Sequence, residues 1–275
     1  MSCLHPFKML VPSEQEGYLK EVLVPCGKCV ECLKRKQSEW IFRLSIEQQC
    51  AMDTLFVTLT YDDSNLPLKG VQKDDCQKFI KRYRKHYECH PTKKIKYFLV
   101  SEYGSLSSRP HYHVILFFNW KIDLIPESSL LQECWKKGAI KIGTCSPASI
   151  SYCCKYLMKE NKDPFGFFEN KTFTLMSRRP AIGIEYLFNR EVQRLHTERV
   201  DFQVISPDGY ILNLPRYYRD KLFDDFDKWL NREKLQDKFN SFQVEMDSIP
   251  EADKYYKIHR LEHKRKQKNI QTDKL

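Results

Sequence analysis

Glycine and long apolar runs are both scarce in this sequence. Glycine accounts for 9 of the 275 residues, whereas 41% of the residues are hydrophobic and 13% are aromatic, which excludes collagen-like, low-complexity and wholly disordered chains. The longest apolar run, His113 to Trp120, has the length of a strand and falls well short of the roughly 18 residues that a membrane span needs. The first residues also lack the basic and apolar regions of a secretory signal. We therefore expect a protein that works inside the cell and has no membrane partner.

Positive charge exceeds negative charge, and the excess is uneven. The sequence has 46 Lys and Arg against 36 Asp and Glu, a formal net charge of +10. The segment from Lys254 to Leu275 carries eight basic and two acidic residues, and therefore holds more than half of that excess. An acidic partner is expected, most simply nucleic acid, whose phosphates a basic tail binds without sequence preference. A solvated tail that is basic for solubility is the alternative.

The eleven cysteines are more typical of thiols or metal ligands than of disulfides in an intracellular chain. Three of them, Cys26, Cys29 and Cys32, have the spacing C-x2-C-x2-C. With Cys3 or His5 as a fourth donor they can form a structural zinc site. The alternative is a set of reduced thiols beneath the helix that follows.

Alternating strand and helix patterns predict an α+β fold, with an antiparallel sheet of about five strands backed by flanking helices. The predicted strands are Thr54–Tyr61, Lys96–Ser101, Pro110–Phe118 and Ala139–Thr144. The predicted helices are a stretch that ends near Gln49, then Asp74–Tyr87, Glu127–Lys137 and Ala148–Lys159. Ser146 and Pro147 supply the capping residue and first-turn proline of the last helix.

We predict four regions along the chain. Residues 1–53 form a cysteine-containing segment and a helix, and residues 54–190 form the core with the candidate site. Residues 191–253 form a C-terminal extension, and residues 254–275 form the basic tail. Within the extension, five apolar residues are predicted to line one helix: Leu222, Phe223, Phe226, Trp229 and Leu230.

The sequence His111-Tyr112-His113 is the first candidate site. Side chains alternate between the faces of a strand, so His111 and His113 project side by side and offer two imidazole ligands for a divalent metal. Glu102 ends the preceding strand and supplies a carboxylate if the two strands pair. The same ligand set occurs in non-haem iron oxygenases, and two histidines on a strand are also compatible with a purely structural role.

The second candidate site is the pair Tyr152 and Tyr156, which lie four residues apart on a predicted helix and therefore share a face. Two phenols so placed can act in turn as nucleophiles on phosphorus, although such a pair is also typical of core packing. Lys155 and Lys159 are predicted to hold a DNA backbone or to steady a phenolate. Arg109, directly before the histidine strand, is predicted to contact DNA.

Three motifs together resemble a known family. Phe56–Tyr61 resembles a structural strand motif, Glu102–Gly104 with His111–His113 resembles a metal motif, and Tyr152–Tyr156 resembles a two-tyrosine motif. In this order they are similar to the rolling-circle replication initiators of small single-stranded DNA phages of the microvirus group, particularly the gokushovirus branch. These belong to the endonucleases named for a histidine–hydrophobic–histidine (HUH) motif. The segments 25–32 and 173–180 also resemble phage initiator sequences, so the resemblance covers roughly residues 1–190.

The resemblance implies a nick-and-join cycle on viral origin DNA that is single-stranded at the nick. One tyrosine becomes linked to the 5′-phosphate, the free 3′-OH is extended by host polymerase, and the second tyrosine later cuts the regenerated origin so that the displaced strand closes into a circle. Mg²⁺ or Mn²⁺ is the expected metal. A host replicative helicase is an expected partner because the sequence has no G-x4-G-K-[ST] phosphate loop. The expected location is the host cytoplasm.

Two other functions explain part of the sequence. A non-catalytic zinc-containing DNA-binding protein explains the charge and the cysteines but leaves the histidine and tyrosine pairs without a role. A metal phosphodiesterase or oxygenase for small molecules needs neither the basic tail nor the tyrosines. The order of the three motifs favours the DNA nickase and strand-transferase.

Overall fold

The arrangement of strands in the computed structural model confirms the α+β class. The structure describes residues 3–12, 18–157, 165–199, 202–205, 209, 211–251, 253–256 and 259–260. Its strands are β1 (Phe7–Pro12), β2 (Leu19–Val24), β3 (Asp53–Thr60), β4 (Ile95–Tyr103), β5 (Pro110–Phe118), β6 (Ile140–Thr144), β7 (Thr174–Met176), β8 (Gln203–Ile205) and β9 (Ile211–Asn213). Its α-helices are α1 (Val30–Cys50), α2 (Lys73–His86), α3 (Leu124–Trp135), α4 (Pro147–Lys155), α5 (Arg190–Arg199), α6 (Arg216–Leu222) and α7 (Asp225–Asp247).

The chain folds into two compact units. One comprises Trp40–Arg190, and the other comprises Met1–Glu39 together with Glu191–Leu275. Helix α1 contributes residues to both. The predicted four-region division at residues 53, 190 and 253 remains a prediction. Among the described residues, no helix is both long enough and apolar enough to cross a bilayer.

The unit Trp40–Arg190 is built on a five-stranded antiparallel sheet with the order β6-β3-β5-β4-β7. Strand β5 lies at the centre, as the apolar run after His113 predicts for a strand covered on both faces. One face packs against α2 and α3, where Phe79, Tyr83 and Trp135 are fully buried. The other face packs against the second half of α1 and against α4.

Helix α4 is shorter than predicted. It begins as expected, because the Ser146 side chain accepts a hydrogen bond from the backbone N–H of Ser149 in a reciprocal capping box, with Pro147 in the first turn. It ends at Lys155, whereas the sequence predicts a helix to Lys159. The N–H groups of Tyr156 and Leu157 bond to carbonyls three residues back, at Cys153 and Cys154, which tightens the last turn. Lys159 lies outside the described residues.

The predicted apolar helical stripe between Leu222 and Leu230 is wrong in part. Helix α6 ends at Leu222, Phe223 is extended, and α7 begins at Asp225. The Asp224 carboxylate accepts a hydrogen bond from the N–H of Asp227 at 2.8 Å and so starts the new helix. The break separates the stripe: Phe223 is buried, whereas Phe226 is 67% exposed.

Candidate metal and tyrosine site

The hairpin of β4 and β5 places one carboxylate opposite two imidazoles. Glu102 pairs with His111 in the strand register, so both side chains project from the same face of the sheet. Oε2 of Glu102 lies 3.0 Å from Nε2 of His113 and 3.3 Å from Nε2 of His111. The connecting loop is closed by a hydrogen bond from the Gly104 N–H to the Arg109 carbonyl oxygen. The expected convergence of these three side chains is therefore present.

The outer nitrogen of each imidazole has its own partner. Nδ1 of His111 lies 3.0 Å from the carbonyl oxygen of Arg109, which can only accept, so this nitrogen carries a proton. Nδ1 of His113 lies 3.2 Å from the Thr58 hydroxyl. Both Nε2 atoms are thereby directed at Glu102, an arrangement typical of metal-binding histidines.

The chemistry of these donors fits a divalent cation. The ligand atoms of Glu102, His111 and His113 all lie within 4.8 Å of one another. Two ring nitrogens and a carboxylate oxygen repel each other at such distances unless protons or a cation lie among them. Burial acts to raise the pKa of Glu102, but hydrogen bonds from His111, His113 and Tyr156 outweigh it and hold that pKa well below its usual range. The carboxylate is therefore charged and available as a ligand.

Helix α4 brings both tyrosines to this cluster. The ring centroids of Tyr152 and Tyr156 are 5.1 Å apart, and they lie 5.1 Å and 5.7 Å from the ring of His113. The Tyr152 hydroxyl lies 3.5 Å from Oε2 of Glu102. The tyrosine pair and the histidine pair thus form one site, although they are about forty residues apart in sequence.

The two tyrosines differ in their surroundings. Tyr152 is 36% exposed, whereas Tyr156 is 7% exposed and belongs to the core cluster beneath α4. Burial and the adjacent charge of Glu102 raise the pKa of Tyr156 well above its usual range. Tyr152 is therefore the phenol that faces solvent, and Tyr156 is the one enclosed by the fold.

The basic residues predicted to act at this site, Lys155, Lys159 and Arg109, do not form a single exposed group in the part of the chain that the structure describes. Lys155 is the last residue of α4 and is buried. The Arg109 guanidinium donates to the carbonyl oxygen of Tyr61 at 2.7 Å and forms an ion pair with Asp63, also at 2.7 Å. Arg109 is thus held by protein groups, and its DNA contact remains a prediction, as do the roles of Lys155 and Lys159.

Two residues of β3 belong to the site and were missed by sequence reasoning. Thr58 contacts Nδ1 of His113, and Phe56 stacks on the His113 ring at 5.5 Å and meets Tyr152 edge-on. Their signal is the alternation along the strand, which places residues 54, 56, 58 and 60 on one face. This alternation identifies Thr58 and Phe56 as site residues only when β3 is known to pair with β5. In the structure the two strands pair, and Thr58 lies opposite His113.

The cysteine cluster forms in the other unit. The sulfur atoms of Cys3, Cys26, Cys29 and Cys32 lie within 4.8 Å of one another, so Cys3, not His5, is the fourth member of the cluster. The backbone N–H groups of Lys28 and Cys29 both donate to the Cys26 sulfur. Burial acts to raise the pKa of Cys26, but these N–H groups bring it down to about 7, whereas burial raises the pKa of Cys32 to about 12. The cluster is compatible with metal binding.

Comparisons with known proteins agree with these motifs. Residues 54–161 match the family model that describes replication-associated proteins of the ORF2 and gene 2 protein type, and this range contains the histidine and tyrosine site. The chain is 32% identical over 248 residues to replication-associated protein ORF2 of Spiroplasma virus 4, an alignment that covers 82% of this chain and 72% of that protein.

Two further relatives are each 28% identical to this chain. Replication-associated protein ORF4 of Chlamydia phage 1 aligns with 72% of the chain, and replication-associated protein VP4 of Bdellovibrio phage phiMH2K aligns with 80%. The alignments span 53% of the Chlamydia phage protein, about half of its length, and 76% of the Bdellovibrio phage protein. A solved structure, hypothetical protein ORF119 from Sulfolobus islandicus rod-shaped virus 1, aligns at 22% identity with a TM-score of 0.29 and covers 44% of this chain and 92% of that one, a similarity too low to describe this fold.

Proposed function

The chain belongs to the family of replication-associated proteins of small single-stranded DNA phages, and we propose that it nicks the origin strand of the replicative-form DNA and later rejoins the displaced strand into a circle. The observation that carries this proposal is the convergence of two phenols on one carboxylate and two imidazoles. The Tyr152 hydroxyl lies 3.5 Å from the Glu102 oxygen that both histidines face. A non-catalytic DNA-binding protein has no use for such an arrangement.

In the first step, the Tyr152 oxygen attacks the phosphorus of the scissile phosphodiester. The phenol gives up its proton as a bond forms between its oxygen and phosphorus, the bond from phosphorus to the 3′ oxygen breaks, and that oxygen takes up a proton and leaves as a 3′-OH. The resulting tyrosyl ester keeps the free energy of the phosphodiester for rejoining. We assign this step to Tyr152 because it is 36% exposed, whereas Tyr156 is 7% exposed.

In the second step, Tyr156 cuts the regenerated origin while Tyr152 still carries the DNA. The released 3′-OH then attacks the first tyrosyl ester and closes the circle. Two phenols are needed because the first is occupied when the second must act. Their ring centroids are 5.1 Å apart, so a phosphate needs to move only a short distance to pass from one tyrosine to the other.

Glu102, His111 and His113 would hold Mg²⁺ or Mn²⁺. Bound there, the cation would polarise the scissile phosphate and offset the charge of the departing oxygen. Thr58 and the Arg109 carbonyl orient the imidazoles toward the cation site. Lys155 is proposed to steady the phenolate, and Arg109 with Lys159 to contact the DNA backbone.

The substrate is origin DNA that is unpaired at the nick, because a phosphate within a duplex is hard to align with a phenol on a helix. The products require extension by host polymerase and strand separation by a host replicative helicase. The proposed location of this reaction is the host cytoplasm.

The proposal is tested by incubating the protein with a labelled origin strand and Mn²⁺ and then denaturing it. We expect a protein–DNA adduct that survives denaturation, and peptide mapping of the adduct should identify a fragment that contains Tyr152 or Tyr156. Free cleaved DNA with no adduct would indicate hydrolysis by water. Binding without cleavage would favour the non-catalytic alternative.

For the cysteine cluster we propose a structural zinc ion. Four thiolates are the donor set of such sites, and backbone N–H groups donate to three of these sulfurs, those of Cys3, Cys26 and Cys29. The ion would join the segment around Cys3 to the start of α1. We expect about one equivalent of zinc per chain in protein purified without chelator. The Cys29→Ser variant should lose it and unfold at a lower temperature, since zinc binding is linked to folding.

Cys89→Ser is the matched control, because Cys89 is exposed and lies outside the cluster. It should retain zinc and thermal stability. Less than about half an equivalent of zinc in the parent protein would rule the site out.

A further inference from the structure

A basic groove lies at the opposite end of the sheet from the histidine site. It is a cavity of about 730 Å³ formed by the last turns of α2, the loop into β4 and the segment around Arg179. Seven cationic side chains line this basic groove: Lys96, which is ion-paired, and six others, Lys81, Arg84, Lys85, Lys93, Lys94 and Arg179. The proposed nicking reaction uses none of them.

The positive charge of the groove is not balanced by neighbouring acids. Among the described residues that line it, Glu88 is the one carboxylate. Lys96, the seventh cation of the lining, is neutralised by Glu47 at 2.9 Å and Glu185 at 2.7 Å, and is therefore set apart from the other six. The ion pairs found within the described part of the chain include none of the six cations.

Helix capping explains only part of this cluster. Arg84 and Lys85 lie in the last turn of α2, where cations stabilise the negative end of the helix dipole. Arg84 also donates to the Ile95 carbonyl oxygen at 2.7 Å and to the Ser177 hydroxyl at 2.9 Å, both uncharged partners that do not neutralise its charge. Lys93, Lys94 and Arg179 come from other elements, and the helix dipole does not account for them.

Among the described residues that line the groove, Tyr87 is the one phenylalanine, tyrosine or tryptophan, and a cation covers its ring; the smaller imidazole of His90 is the other ring. The Tyr87 ring lies beneath the Lys93 ammonium, whose nitrogen is 5.4 Å from the ring centroid. Arg84 covers Tyr97 in the same way, at 5.0 Å. Proteins that bind single strands combine cations with exposed aromatic faces, whereas a duplex presents phosphates with its bases already stacked.

From these observations we propose that the basic groove binds the phosphate backbone of double-stranded DNA beside the nick. This inference rests on the proposed function for the identity of the DNA, although the groove itself is separate from the tyrosines. Ile95 and Glu102 are at opposite ends of β4, which places the groove about 23 Å from the metal ligands. At about 3.4 Å per base pair this corresponds to roughly seven base pairs of duplex.

The test compares the affinity of the full-length protein for a short blunt-ended duplex and for one strand of that duplex, across a range of salt concentrations. The variant is Lys85→Gln with Lys94→Gln. We expect the slope of log K against log salt for the duplex to become shallower by about 2, since each lost phosphate contact removes about one counterion. Affinity for the single strand should change less than twofold.

The matched control is Lys73→Gln with Lys121→Gln, two exposed lysines of the same unit outside the groove. It removes the same charge and should leave the duplex slope within about 0.5 of the parent value. An equal decrease of the duplex slope in both double variants would overturn the proposal. A larger loss of affinity for the single strand than for the duplex in the groove variant would also overturn it.

Covalent adduct formation on a single-stranded origin oligonucleotide is measured in parallel, and it should be unchanged in the groove variant. Absence of the adduct from the parent protein would contradict the proposed nicking reaction but not the duplex-binding groove. Retained adduct with an unchanged duplex slope would contradict only the groove.

Discussion

Tyr152→Phe is expected to reduce the first nicking of a linear origin strand by about a thousandfold or more, whereas Tyr156→Phe should retain most of it. The reason is access: both hydroxyls reach Glu102, but the Tyr152 side chain is 36% exposed, whereas Tyr156, at the C-terminal end of α4, is 7% exposed. The double variant should form no covalent adduct at all. The measurement is the rate of adduct formation with a labelled single strand and Mn²⁺.

Joining of the displaced strand should require both tyrosines, whereas the first nicking should require Tyr152 alone. Because both phenols are needed to transfer the strand, each single variant should fail to release closed circles from a substrate with two origins. Tyr97→Phe is the control, since Tyr97 is near the start of β4, far along the strand from Glu102. An adduct formed on Tyr156 at the parent rate in the Tyr152→Phe variant would contradict the assigned order.

His111→Ala should abolish metal-dependent cleavage with little loss of fold. The His111 side chain is 21% exposed, so its removal leaves no deep cavity and the fold should persist. The cation site loses one of its three ligands, and only Glu102 and His113 remain. We expect the affinity for Mn²⁺ to fall by more than about a hundredfold, because removal of a mere hydrogen-bond partner of a ligand already costs about 10–100-fold. Calorimetric titration of Mn²⁺ checks the affinity, and binding to the origin strand should persist.

Thr58→Val provides a graded comparison at the same site. It preserves the shape of the side chain but removes the hydroxyl that lies 3.2 Å from Nδ1 of His113. The affinity for Mn²⁺ should fall by about 10–100-fold, less than in His111→Ala, and excess Mn²⁺ should restore cleavage. If His111→Ala binds Mn²⁺ as tightly as the parent protein, the three side chains do not form the metal site.

Much of the fold was predictable because its signals are local. The strands around Phe56, Tyr97 and Val114 follow from short runs rich in β-branched, aromatic and other apolar residues, and helix α2 follows from a period of 3.6 in its apolar residues. The end of α4 was not predictable in this way, because the tightened turn at Cys153 and Cys154 competes with helix continuation by small differences in hydrogen bonding. The break after Leu222 was missed for a related reason, since the capping role of Asp224 gives a weaker signal than the apolar stripe around it.

For the candidate site too, local relations were predictable from the sequence and relations between distant segments were not. The sequence alone determined that His111 and His113 share a strand face, and that Tyr152 and Tyr156 share a helix face, because pleat and helical pitch set those relations within a few residues. Tertiary structure decided that Glu102 is in register with His111, that α4 packs on the histidine face, and that Tyr156 is buried while Tyr152 is not. It also decided that Cys3, not His5, completes the cysteine cluster. Apart from the pairing of Glu102 with His111 across one loop, these relations join segments far apart in the chain. A shift of one residue in strand register would turn every side chain to the other face, so the site depends on the packing of the whole unit.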